Sequence, residues 1–260
     1  PKGKRLRYLQ TSPELPMKRL LGAGLERIFQ IAPVFRQNDF SPSHRPEFRM
    51  LEWYRRDESW EMLLSDCQKL LRSCAQDLLG TTKVTYNGQT FDLAQDFRRI
   101  TMDDAFQKCA GFSILDKLEA ETLKQTLDEM GIHHDASDTW DDLFHRVFLE
   151  KVEPKLLEDP TPLFLTHYPA PLAALARKCP EDPRASERFE LYVAGLELAN
   201  GFGELTCPTE QRTRFEEDRA WRVQNGMQDY PFDERFFQAL ESLPPSAGIA
   251  LGVDRLMMLL

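Results

Sequence analysis

Apolar positions in the first quarter of the chain follow strand-like spacing on either side of a polar segment. Residues 28–35 and 48–54 have the composition of buried strands, and residues 36–46 between them are polar and turn-rich. This order predicts a long antiparallel hairpin. Residues 5–9 are predicted as a further strand, and residues 15–21 as a helix that follows a proline-containing start.

The next segment changes to helical spacing. Apolar residues between 60 and 78 recur every three or four positions, and Gly80 follows the last of them, which predicts a helix that ends at a glycine. Residues 84–93 contain Asn87-Gly88 between two short apolar runs. That dipeptide favours a tight two-residue turn and predicts a small hairpin.

The middle of the chain predicts helices, and the remainder predicts strands again. We expect an inserted helical subdomain at about 100–157, because apolar spacing there is helical with breaks at glycines. Residues 163–168, 189–193 and 248–253 are predicted as strands, and residues 215–222 as a charged helix. The mixture predicts an α+β fold with an antiparallel sheet flanked by helices.

Composition narrows the class of protein. The chain has 260 residues, 42% of them hydrophobic, and a net charge of −9. This charge counts weakly against a free-standing nucleic-acid binder, which is usually basic. The five cysteines are scattered without a C-x-x-C pair, and no apolar run reaches 18 residues. We therefore expect reduced thiols, no membrane segment and a cytoplasmic location. The chain does not begin with Met, and we expect it to be part of a longer protein.

Three segments contain residues suited to chemistry. Arg36 follows a predicted strand, where its guanidinium could bind phosphate or carboxylate oxygens. Asn200, Phe202 and Glu204 alternate at period two, which predicts one shared strand face that could hold a lysine-like side chain. Near the end of the chain, Gly252 has no side chain, so a flat ligand could approach the backbone of the predicted strand. Arg255 lies at the start of the helix predicted to follow. Taken singly, each of these residues also fits an ordinary structural role.

In order and together, these segments resemble the class II lysyl-tRNA synthetases over nearly the whole chain. Phe35-Arg36 followed by His44-Arg-Pro-Glu-Phe48 is similar to motif 2 of that family. Gly248-Ile-Ala-Leu-Gly252-Val-Asp-Arg255 is similar to motif 3, and residues 197–204 to the strand of the lysine pocket. The resemblance implies one class II catalytic domain over residues 1–260. It also implies a homodimer, with the motif 1 segment that forms the dimer interface lying upstream.

The resemblance implies a role for each matching residue. ATP and Mg²⁺ would be the cofactors, and Arg36 and Arg255 would stabilise the reacting phosphate. ATP would be bound by Arg36, Asn38, Asp39, His44, Phe48, Gly252 and Arg255. Lysine or (R)-β-lysine would be surrounded by Ser12, Glu14, Glu52, Tyr54, Asn200, Phe202, Glu204 and Ala250. Magnesium would be bound by Glu190 and Glu197.

Two small residues point to one branch of the family. Lysyl-tRNA synthetases typically have Ala where Ser12 stands and Gly where Ala250 stands. The sequence is similar in both positions to the branch that joins (R)-β-lysine to elongation factor P. This implies elongation factor P as the acceptor, with tRNA unlikely. One added methyl group in a tight pocket can shift substrate preference by roughly 1–3 kcal/mol.

The sequence departs from motif 2 at two positions and is compatible with several functions. Asn38 stands where motif 2 usually has Glu, and Asp39 next to it could compensate. Arg45 stands where motif 2 of the family usually has Asn, between the His and the Pro. The alternatives are a lysyl-tRNA synthetase core, a synthetase-like binding module without catalysis, and a small-molecule amide-forming enzyme related to asparagine synthetase.

Overall fold

The computed structural model describes residues 7–37, 40–41 and 44–260. Its strands are β1 Arg27–Phe35, β2 Glu47–Arg56, β3 Lys83–Tyr86, β4 Gln89–Asp92, β5 Arg98–Thr101, β6 Leu163–Thr166, β7 Arg188–Val193, β8 Leu196–Gly203 and β9 Ser246–Gly252. Its α-helices are α1 Glu14–Gly22, α2 Glu61–Leu79, α3 Met102–Ala110, α4 Ala120–Met130, α5 Trp140–Val147, α6 Glu153–Leu156, α7 Pro208–Gln224, α8 Glu234–Leu240 and α9 Val253–Leu259.

A seven-stranded sheet organises the fold, in the order β1-β2-β9-β8-β7-β6-β5. All neighbours are antiparallel except β5 and β6. The predicted hairpin of β1 and β2 is confirmed, with Phe35 opposite Glu47 at the end that leads into the loop. The α+β prediction is therefore confirmed, and the last strand in sequence lies beside the second.

One face of the sheet is covered by α2, α9 and the separate β3-β4 hairpin. Side chains from α2 pack with Ile249 and Leu251 of β9 in a continuous buried core. Helix α2 ends at Gly80, whose φ of 71° is the left-handed conformation that glycine adopts without strain. Asn87 and Gly88 both have positive φ, as the predicted two-residue turn requires.

The middle helices cover the other face at the end of the sheet formed by β5 to β7. Thr101 caps α3, accepting a hydrogen bond from the backbone N–H of Asp104 at 3.1 Å. The helices share a buried core with Leu163, Leu165 and Tyr192 of the sheet. Residues 98–101 form strand β5, so the helical stretch begins at Met102 rather than at about 100. That this stretch is an insertion stays a prediction.

Helices α1 and α8 pack together on that same face, near β2. Met17, Phe236 and Phe237 form their core with Tyr54 of β2. A side chain at Gly22 would meet the carbonyl oxygen of Ala239 at 2.6 Å, so the glycine lets the two helices approach closely.

The predicted strand at residues 5–9 is wrong where it can be compared. Residues 1–6 lie outside the described part of the chain, and residues 7–10 are irregular. The backbone carbonyl of Gln10 accepts a hydrogen bond from Phe35 of β1 at 2.9 Å, without forming a ladder. Within the described ranges, no helix combines the length and the apolar character needed to cross a membrane.

Candidate active site

A cavity of about 800 Å³ opens over β2, β9 and β8. It lies on the face that carries α1 and the middle helices. Sequence positions that lie far apart line it together: Ser12, Glu14, Arg36, His44, Phe48, Glu52, Tyr54, Glu197, Asn200, Phe202, Glu204, Ala250, Gly252 and Arg255. All were candidate site residues from the sequence. Asn38 and Asp39 lie outside the described residues, and Glu190 is not among the lining residues.

The register of the three strands produces this arrangement. Ala250 of β9 is directly opposite Glu52 of β2 on one side and Asn200 of β8 on the other. Two residues along, Gly248 is opposite both Tyr54 and Phe202. Because side chains alternate between sheet faces, both rows face the cavity. The intervening residues enter the core on the α2 side.

Two glycines of β9 differ in the space around them. A Cβ at Gly248 would overlap the ring of Tyr54 and the carboxylate of Glu204. At Gly252 the atoms nearest to a Cβ would be those of the Arg255 side chain, at 3.7 Å or more. The absence of a side chain at Gly248 therefore lets Tyr54 and Glu204 pack closely against β9, whereas Gly252 has free space beside it.

An acidic cluster forms one part of the cavity. Glu52 is 1% exposed and accepts hydrogen bonds from the hydroxyl groups of Ser12, at 2.5 Å, and Tyr54, at 2.8 Å. Glu14 and Glu204 are joined by the ammonium of Lys18, which lies 2.7 Å from Glu14 Oε1 and 2.5 Å from Glu204 Oε2. Two carboxylates thus contact one buried cation, whose charge also acts on Glu52.

Burial shifts the ionisation of this cluster. Burial raises the pKa of Glu52 to about 7, although its hydrogen bonds from Ser12 and Tyr54 oppose the shift. Burial likewise raises the pKa of Glu204 to about 8, against the lowering effect of Lys18. Burial alone would lower the pKa of Lys18, but Glu14 and Glu204 outweigh it and raise the pKa. Lys18 therefore stays charged at neutral pH, and Glu204 keeps its proton to a higher pH than an exposed carboxyl group does.

Two acceptors in the cavity wall have neither a hydrogen-bond donor nor a cation in contact within the described ranges. Glu204 Oε1 and Asn200 Oδ1 are buried and accept no hydrogen bond from those residues. A buried acceptor without a donor costs free energy, roughly 1–3 kcal/mol for a neutral group. A ligand with ammonium or amide N–H groups would satisfy both.

A cationic cluster forms another part of the cavity. Arg255 Nη2 lies 2.6 Å from Nε2 of His44, and Arg255 Nη1 donates to the backbone carbonyl of Glu197. The guanidinium of Arg36 lies over the ring of Phe48, 5.3 Å from its centroid. The cluster presents planar, fixed donors suited to phosphate and carboxylate oxygens.

The two carboxylates predicted to bind metal have different surroundings. Glu197 lines the cavity with its side chain 43% exposed, and its partial burial and the nearby Glu190 raise its pKa above the usual value. Glu190 is buried and accepts hydrogen bonds from Tyr168 and Tyr192, while Arg188 donates to its other oxygen at 2.8 Å. Its place in a metal site stays a prediction. In the described ranges, no three His, Cys, Asp or Glu side chains gather as metal ligands.

Lys18 is the residue of this site that the sequence reasoning missed. Its position four residues after Glu14 is a signal that could have paired the two on one helix face. Its contact with Glu204 joins residues 186 positions apart in the sequence and requires the fold. Met50, Leu198, Ile249, Met257 and Met258 also line the cavity without having been candidates.

Comparisons with known proteins show the family to which the chain belongs. Residues 2–260 match the model of the family described as tRNA synthetases class II (D, K and N). A lysine–tRNA ligase of Pelotomaculum thermopropionicum is 38% identical over 256 residues, which cover 97% of this chain and 50% of that protein. Those of Pediococcus pentosaceus and Staphylococcus aureus (strain MRSA252) are 37% and 36% identical over 254 residues, again 97% of this chain. The chain spans about half the length of these curated relatives. It belongs to the class II tRNA synthetase family of the D, K and N type.

Proposed function

We propose that this chain uses ATP to activate a lysine-type amino acid as its aminoacyl-adenylate. The observation that carries the proposal is the division of one cavity into an acidic cluster and a cationic cluster. The acidic cluster has buried acceptors on Glu204 and Asn200 for ammonium groups. The cationic cluster has Arg36 and Arg255 for phosphate and carboxylate oxygens.

The amino acid would span the two clusters. Its ammonium groups would bind near Glu14, Glu52 and Glu204, and its alkyl chain would lie along the ring of Phe202. Its carboxylate would then point toward Arg36. This pose gives each charge of a diamino acid an opposite charge in the cavity, and the proposal thereby accounts for three carboxylates in one buried wall.

ATP would bind at the cationic cluster. The adenine would stack on Phe48, and its phosphates would contact Arg36, His44 and Arg255. A carboxylate oxygen of the amino acid attacks the α-phosphorus, forming the acyl–phosphate bond. The bond from that phosphorus to the bridging oxygen breaks, and pyrophosphate leaves with the electron pair.

No protein nucleophile is required for this step. Arg36 and Arg255 hold the reactants in line and stabilise the charge that develops on the phosphate. Asn38 and Asp39, predicted to contact ATP, stand between Arg36 and His44 in the sequence and lie outside the described residues. Gly252 would line the nucleotide portion, where its missing side chain leaves room.

Magnesium would be bound by Glu197 together with the phosphates of ATP. Mg²⁺ is commonly bound by one or two carboxylates along with substrate phosphates, and Glu197 supplies a carboxylate beside the phosphate-binding arginine Arg255. When bound, Mg²⁺ would neutralise phosphate charge. Glu190 would act from behind Glu197, because Tyr168 and Tyr192 already donate to its carboxylate.

Elongation factor P is the acceptor we propose for the activated amino acid. Ser12 and Ala250 support it, since both differ from the residues typical of lysyl-tRNA synthetases and both lie beside Glu52. In the transfer, a lysine ε-amine of the acceptor attacks the acyl carbon. The bond to the phosphate oxygen breaks, AMP leaves, and the amine loses a proton to solvent.

Transfer to tRNA is the second candidate. It is favoured by the relatives, which are named lysine–tRNA ligases at 36–38% identity. The full-length protein separates the two acceptors when it is incubated with ATP, α-lysine or (R)-β-lysine, and either elongation factor P or tRNA. A mass increase of elongation factor P supports the proposal, whereas acylated tRNA with unmodified elongation factor P supports the alternative.

A further inference from the structure

Lys18 lies behind the wall of the cavity rather than in it. Its side chain is 0% exposed, and it is not among the residues that line the cavity. Glu14 and Glu204 do line the cavity, and each gives one carboxylate oxygen to the Lys18 ammonium, at 2.7 and 2.5 Å. The lysine therefore contacts two predicted substrate-binding groups from the side away from the substrate.

The contact joins two separate parts of the fold. Glu14 and Lys18 are one turn apart on α1, whereas Glu204 follows the end of β8. Glu204 Oε1 is left without a donor among the described residues, while Oε2 faces Lys18. The Lys18 ammonium thus fixes which oxygen of Glu204 is directed to the cation behind it and which one is available to a ligand.

The charges around Lys18 are unbalanced without a ligand. The groups that act on the cluster are Glu14 from α1, Glu52 and Tyr54 from β2, and Glu204 after β8. Three carboxylates and one ammonium leave a net charge of minus two when all four are ionised. A diamino acid supplies two ammonium groups, which match that charge.

We propose that Lys18 is a positioning residue that holds Glu14 and Glu204 in place and sets the charge of the pocket for a substrate with two ammonium groups. The inference deepens the proposed function and rests on it. Without Lys18, Glu204 would keep its proton to higher pH, because the opposite charge that favours its ionised form would be gone. The pocket would then reach its full affinity for a dication only at a higher pH than the wild-type pocket.

Proton release on substrate binding tests this role directly. Isothermal titration of lysine into the full-length protein in two buffers of different ionisation enthalpy, from pH 6 to 9, gives both the affinity and the number of protons released. The variant Lys18→Gln removes the charge and keeps a hydrogen-bond donor. Lys18→Arg keeps the charge, and Lys69→Met, on the exposed side of α2, is the matched control.

The expected result is specific to the charge. In Lys18→Gln the pH at which affinity rises shifts upward by about one unit or more, and more protons are released at pH 7.5. Lys18→Arg restores the wild-type pH dependence in part, and Lys69→Met leaves it unchanged. In pyrophosphate exchange, the loss in Lys18→Gln falls on the KM for lysine more than on kcat.

Other results overturn the inference. A folded Lys18→Gln variant with weaker binding but wild-type pH dependence and proton release would show a purely structural role. Failure of the wild-type protein to bind lysine or (R)-β-lysine would instead refute the proposed function, and this inference with it.

A second pair of variants covers the case in which Lys18→Gln does not fold. Glu14→Gln and Glu14→Gln with Lys18→Gln are compared, because the double variant removes one charge of each sign from the buried cluster. The proposal predicts that lysine affinity rises at a pH about one unit or more higher in the double variant than in the single variant. Equal titration of the two would contradict it.

Discussion

Ala250 lies directly opposite Glu52 in the antiparallel pairing of β2 and β9. Glu52 also accepts a hydrogen bond from Ser12 at 2.5 Å. Ser12 and Ala250, the two positions from which we infer a branch of the family, therefore both lie beside one buried carboxylate. In the proposed function, Glu52 binds an ammonium group of the substrate, and the position of one amino group is what differs between α- and β-lysine. We therefore expect both positions to affect the choice between these two substrates.

Replacing Ala250 by Gly should improve the use of α-lysine relative to (R)-β-lysine. Removing the methyl group leaves more space in the cavity between the side chains of Glu52 and Asn200, which lie on either side of Ala250. The ratio of kcat/KM values in pyrophosphate exchange should change by about 10- to 200-fold, the range for one methyl group in a pocket. Ala247→Gly is the matched control, since Ala247 lies on the same strand but is buried in the core on the α2 side of the sheet. An unchanged ratio in Ala250→Gly would remove Ala250 from substrate selection.

Replacing Gly248 by Ala should damage the amino-acid pocket while sparing nucleotide binding. The new methyl group would overlap Tyr54 and Glu204, so both must move. We expect the KM for lysine to rise at least about tenfold, within the 1–3 kcal/mol cost of overpacking. The comparison is Gly252→Ala, whose methyl group meets Arg255 only at ordinary distance and should leave the lysine KM near normal. The same lysine KM in both variants would contradict the assigned geometry.

Replacing Arg36 by Ala should abolish activation without unfolding the protein. Arg36 is exposed to the cavity and contributes no buried packing. Loss of one preorganised charge at the reacting group costs at least about a hundredfold in rate. Pyrophosphate exchange measures the rate and circular dichroism the fold. Arg27→Ala, at the far end of β1, controls for loss of an exposed arginine, and a near-normal rate in Arg36→Ala would exclude Arg36 from the mechanism.

Lysine binding should strengthen as pH rises from 6 to 8. Glu52 and Glu204 have pKa values raised to about 7 and about 8, so at pH 6 both hold protons that an ammonium ligand must displace. Binding then releases protons, and affinity increases about tenfold or more per pH unit between pH 6 and 7 and levels off above pH 8. Calorimetric titration across this range measures it. In Glu204→Gln the part of the increase near pH 8 should disappear, and a flat wild-type profile would show that neither carboxyl group titrates with the ligand.

Much of the site follows from local sequence patterns. Period-two spacing placed Asn200, Phe202 and Glu204 on one face, and all three line the cavity. The hairpin that carries Arg36 and Glu52 was likewise predicted from its strand–loop–strand pattern, because local alternation and turn composition are enough to specify it.

The remainder depends on contacts between distant residues. Pairing of β9 between β2 and β8 sets Ala250 beside Glu52, and no local pattern contains that order. The sequence alone gives no sign that Lys18 is buried, because its contact with Glu204 exists only in the folded chain. Residues 5–9 have strand-like composition, yet the described ones form no ladder.

Pyrophosphate exchange with α-lysine and (R)-β-lysine, compared side by side on the full-length protein, tests the central claim most directly. The account predicts ATP-dependent exchange with a lysine-type amino acid, stronger with (R)-β-lysine, and none with norleucine, which lacks the second ammonium group. Exchange with α-lysine alone would favour the tRNA-charging candidate. Absence of exchange with both amino acids would contradict the proposed activation.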